Sequence, residues 1–80
     1  MSDHSDVSLD EPVVITTENG QRYRATLEEG VVTIQYEDNE RWRRDGEGTW
    51  DGSAIVDCNS DLGDGGFELL NAAILKALEE

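Results

Sequence analysis

The sequence predicts an α+β fold: an antiparallel β-meander of four to five strands, with one C-terminal helix packed on one face. Three observations carry this expectation. Residues 22–37 alternate apolar and polar side chains, the period of a half-buried strand. Asn19-Gly20, Glu29-Gly30 and Asp38-Asn39 punctuate that stretch as turn pairs. Finally Phe67, Leu70, Ile74, Ala77 and Leu78 recur at i, i+3, i+4, i+7 spacing, which gathers them on one face of a helix.

In chain order, residues 1–11 are polar, acidic and aperiodic, and read as a disordered N-terminal arm holding the sole histidine, His4. Residues 12–80 form the single α+β domain, since a chain of this length has room for one core only. Pro12 introduces a first strand, Val13 to Thr17, rich in β-branched residues. Asn19-Gly20 supplies the two positive-φ positions of a tight hairpin. On the second strand Tyr23, Ala25 and Leu27 face one way and Arg22, Arg24 and Thr26 the other. On the third, Val32, Ile34 and Tyr36 face the core.

Glu40 to Arg44 reads as a fourth strand, with Trp42 and Arg44 on one face and Arg41 and Arg43 on the other. Gly46, Gly48 and Gly52 read as breakers of a loose hairpin around Trp50, and Ser53 to Asp57 as a fifth strand. Asp64 is placed to cap the helix, where a carboxylate accepts orphan amide protons and meets the positive end of the dipole. Leu69 and Leu75 lie off the centre of the helix face, at the rim of the core or at a homodimer contact.

Net charge is −13, with nineteen carboxylates against six Lys and Arg. That balance argues against a direct nucleic-acid binder, which needs positive charge to neutralise phosphates. The charge is also uneven. Residues 12–44 hold all five arginines, whereas residues 45–80 carry nine acids against Lys76 alone. Cys58 is the sole cysteine, so it has no intramolecular disulfide partner and reads first as a small buried hydrophobe. There is no signal-like apolar segment and no run of membrane-spanning length, so the expected location is cytoplasmic, with no membrane contact.

Asp57, Asn59, Asp61 and Glu68 stand at positions 1, 3, 5 and 12 of an EF-hand-like loop, the oxygen-ligand spacing calcium requires. The stretch departs from that pattern with Leu62 where glycine makes the sharp turn, with Asp64 at the apolar position, and with a strand in place of an entering helix. The plainer account is a solvated acidic loop. Arg41, Arg43 and Arg44 around Trp42 suit a binding hot spot, or an edge strand charged against aggregation. The folded region has no histidine to pair with a serine or Cys58, and no phosphate loop, so no enzyme activity and no cofactor are expected.

The remaining signal is the acidic half. Carboxylates at Asp45, Glu47, Asp51, Asp57, Asp61, Asp64 and Glu68 make a negative surface that a basic, nucleic-acid-binding groove would attract. Trp42 and Trp50 are candidate anchors on that surface, wherever either is exposed. In size, charge and expected fold the chain resembles the small acidic phage-encoded inhibitors of DNA-targeting defence systems, anti-CRISPR and anti-restriction proteins. That resemblance implies a non-enzymatic DNA mimic whose partner is a basic DNA- or RNA-binding complex, such as a CRISPR–Cas effector, in the host cytoplasm. The alternative is a small module of a halophilic organism, because one lysine against five arginines and abundant acids also suits a salt-solvating surface.

Overall fold

A computed structural model describes residues 7–60 and 62–79. Five strands, β1 (Val13–Thr16), β2 (Arg22–Glu28), β3 (Val31–Asp38), β4 (Arg41–Trp50) and β5 (Ile55–Val56), precede one helix, α1 (Asp64–Glu79). The sheet is antiparallel in the order β1-β2-β3-β4-β5, so every strand pairs with its neighbour in sequence. This is the expected meander with its C-terminal helix.

The alternation fixes which face is covered. Ala25, Leu27, Val32 and Ile34 are buried on one side of the sheet, and Leu70 and Ile74, one helical turn apart, close over them. Phe67 and Leu78 flank that helical pair and pack against the same core. Burying a side chain the size of Leu27 or Ile74 contributes roughly 1.5–3 kcal/mol, so these contacts hold the helix to the sheet. Trp50 and Leu62 complete the core from the two segments that approach it after β3.

The largest departure from the sequence reading is β4. It runs unbroken from Arg41 to Trp50, through the glycines expected to interrupt it. Gly46 and Gly48 are there because a second segment crosses that face. A Cβ on Gly46 would meet Asn59 Oδ1 at 2.6 Å and the Ser60 backbone at 2.9 Å; one on Gly48 would meet Cys58 Cβ at 2.8 Å. In a strand, glycine marks either weakness or close backbone approach, and here it is the latter. The fifth strand is correspondingly short, reduced to Ile55–Val56 paired with Thr49 and Trp50.

The turns also differ in detail. The first hairpin closes through Thr17 and Gln21, with Gly20 N donating to Thr17 O at 2.9 Å. Only Gly20 takes a positive φ there, at +87°, so Asn19 does not share the role expected of it. This is a three-residue loop whose left-handed residue follows an ordinary turn. Asn39 and Glu40, at φ +52° and +66°, form the third hairpin, so Glu40 is a turn residue rather than the start of β4.

Two boundaries move inward. Residues 1–6 of the expected arm lie outside the described residues, but residues 7–9 are built into the fold. Gly30 N donates to Val7 O, Leu9 N donates to Leu27 O, and both apolar side chains pack on the core. At the helix start, Phe67 N donates to Gly63 O at 3.0 Å. That bond makes Gly63 the cap position and Asp64 the first helical residue, one place inside the cap expected of it.

Candidate interaction surfaces

A sheet covered on one face leaves the other to solvent, and its residues follow from the register. Glu37 stands opposite Trp42, and Gln35 opposite Arg44, while Arg24 pairs with Gln35 on the other flank. Side chains directly opposite share a face. Trp42 therefore lies on the open face with Arg22, Arg24 and Arg44, as the alternation within β4 predicts. The Arg24 guanidinium sits 4.6 Å from the Trp42 ring centroid, and that of Arg22 sits 5.6 Å away. Arg24 also donates to Gln35 Oε1 from Nε at 2.8 Å and from Nη2 at 2.6 Å.

Three of the five arginines sit in ion pairs. Arg22 pairs with Glu37 at 3.0 Å, Arg43 with Asp38 at 2.9 Å and Arg44 with Glu47 at 2.8 Å. These are solvent-exposed pairs, each contributing at most about 1 kcal/mol. The sequence reading places the cluster at Arg41, Arg43 and Arg44; it misses Arg22 and Arg24, which reach Trp42 across β3. Their alternation on the outer side of β2 is the signal that places them there.

The predicted carboxylates are dispersed. Asp45 is the extra residue of a β-bulge, because Ile34 faces Gly46 while Gln35 faces Arg44. Its Oδ2 accepts from Ser60 Oγ, and Ser60 Oγ in turn accepts from Leu62 N at 3.0 Å. That relay fastens the segment before the helix to β4. Asp51 Oδ1 accepts from the amides of Ser53 and Ala54, each at 2.9 Å, and so shapes the turn into β5. Glu47, Asp57 and Glu68 are exposed. Asp61 lies outside the described residues, and Asp64 is placed only by its backbone at the helix start.

Trp50 is not available as an anchor: it is 2% exposed and belongs to the core, where β4 meets β5. Trp42 is half-buried. In the calcium-like stretch, Asn59 Oδ1 accepts from Glu47 N at 3.0 Å, which binds the loop to β4. Leu62 is buried at 4%, so its place in the stretch serves packing. Among the described residues no group of three or more His, Cys, Asp or Glu side chains is arranged to hold a metal ion.

A groove of about 650 Å³ separates the first hairpin from the helix start, lined by Thr17, Asn19, Tyr23, Leu62, Gly63 and Leu69. Cys58 is a half-buried free thiol against the core. Leu69 is 44% exposed, whereas Leu75 packs on the core. No described helix is long and apolar enough to cross a membrane. Comparison with family models, curated proteins and solved structures gives no match.

Proposed function

We propose that this chain is a non-catalytic interaction protein whose acidic second half engages a basic, nucleic-acid-binding surface of a partner. Its most concrete form is a phage-encoded inhibitor that blocks target-DNA binding by a CRISPR–Cas complex. The observation that carries this reading is the separation of charge. All five arginines lie on β2 and β4, while Asp51, Asp57, Glu68 and Glu79 stand exposed beyond β4. A second support is that the described core holds no buried polar or charged side chain, so ionisable chemistry is confined to the surface. Carboxylates on a compact scaffold steer toward a positive cleft as phosphates do.

A second reading is favoured by a different observation. Exposed acids also occupy the other connections, at Glu18, Glu29 and Glu40, the end of β2 at Glu28, and the segment before β1 at Asp10 and Glu11. Such an all-round distribution suits a salt-solvated surface in a halophile. Circular dichroism across a salt series separates the two. An inhibitor stays folded at low salt while its binding weakens as salt rises; a salt-adapted module loses structure at low salt. Displacement of labelled target duplex from purified effector complexes tests the inhibitor reading itself, and unchanged DNA binding across them contradicts it.

A further inference from the structure

We infer that the outer edge of β4, from Arg41 to Arg44, is a strand-addition site for an extended acidic segment of a partner protein. β4 is a sheet edge over most of its length. Its outer side is met by β5 only at Thr49 and Trp50, and by the following segment where Asn59 N donates to Glu47 O at 3.3 Å. Among the described residues no strand pairs with the outer side of Arg41–Arg44. An unpaired strand edge presents amide and carbonyl groups that another extended chain can satisfy.

The charge on this edge selects the occupant. Between Asp38 and Arg44 three arginines stand against Asp38 and Glu40, in a chain that is otherwise strongly acidic. Arg41 is exposed and makes no ion pair among the described residues. Arg43 and Arg44 sit in exposed pairs, which exchange readily for carboxylates of a bound strand. At physiological ionic strength screening acts over about 8 Å, so a docked strand senses these arginines more than the acids of the helix. A second copy of β4 is a poor occupant because it brings arginine opposite arginine.

The same geometry limits the site to a short strand. The Asn39-Glu40 turn bounds it at one end and the Asp45 bulge at the other. Bulges interrupt pairing, so the open stretch admits about four partner residues.

The test is an amide-shift titration of the full chain with a short synthetic peptide alternating glutamate and threonine. The expected result is shifts at Arg41–Asp45 at millimolar peptide or below. An N-methylated peptide of the same sequence should bind about ten-fold more weakly, through lost main-chain bonds. The variant Arg41→Glu, which breaks no ion pair, should weaken the parent peptide by about three-fold or more. Equal binding by the N-methylated peptide, or by one with lysine replacing glutamate, overturns the inference. So do shifts confined to the helix, absence of binding at millimolar peptide, or tighter binding of single-stranded DNA to the same amides. Loss of peptide binding leaves the inhibitor reading standing, because that reading is read separately as displacement of DNA from the effector.

Discussion

The backbone amide of Ile55 donates to the side-chain oxygen of Asn71 at 3.0 Å, joining the shortest strand of the sheet to the middle of the helix. β5 has two residues and one strand neighbour, so its second edge would otherwise be left to solvent. Asn71 closes that edge from the helix. Asn71→Ala is expected to cost about 1–2 kcal/mol in urea unfolding, because it leaves a part-buried donor unmet. Asn71→Asp, which keeps an acceptor in place, should recover part of that loss. Equal stability of Asn71→Ala and the parent would show that the bond contributes nothing.

Two adjacent glycines at the helix start should respond oppositely to alanine. A Cβ on Gly65 meets nothing within 4 Å, so Gly65→Ala should gain up to about 1 kcal/mol from helix propensity. A Cβ on Gly66 would lie 2.2 Å from Leu62 Cδ1, and Leu62 is part of the core. Gly66→Ala should therefore destabilise by about 1–3 kcal/mol. Thermal melts of the two variants check the opposite signs.

Most of the meander is legible in the sequence because period-2 alternation and helical spacing are local signals. Ala25, Leu27, Val32, Ile34, Leu70 and Ile74 follow directly from them. Gly46 and Gly48 do not. A glycine that breaks a strand and one that admits a crossing segment look alike until the segment is placed, and that segment, Cys58–Ser60, is ten or more positions away. The burial of Trp50 depends on them: once β4 continues, the residue after Gly48 and Thr49 points into the core. The candidate carboxylates are legible as charge, but only the fold shows that Asp45 fastens the segment before the helix to β4 and that Asp51 shapes the turn into β5, while Asp57 and Glu68 stand exposed.

The two tryptophans should separate cleanly by truncation. Trp50→Ala removes a core side chain and should cost about 3–5 kcal/mol, a large share of the stability of a domain of this size. Trp42→Ala loses contacts with two arginines on the open face and should cost about 0.5–2 kcal/mol. Chemical denaturation followed by circular dichroism measures both, and comparable losses would contradict the assignment of Trp50 alone to the core.

Glu40 holds a φ of +66° in the third hairpin, in a left-handed region that disfavours side chains. Glu40→Gly makes the turn Asn-Gly, the preferred pair for a two-residue hairpin. It should raise stability by about 1 kcal/mol, visible as a higher unfolding midpoint at constant slope.

Under the proposed function, exposed carboxylates of the second half engage a basic nucleic-acid-binding surface. The most direct measurement is fluorescence anisotropy of labelled target DNA bound to a purified CRISPR–Cas effector, titrated with this protein. Dose-dependent release of the DNA is predicted, with the double variant Asp57→Asn, Glu68→Gln weaker by about ten-fold, as loss of two exposed interfacial charges implies. DNA binding that stays unchanged at saturating protein, or a double variant as potent as the parent, would contradict it.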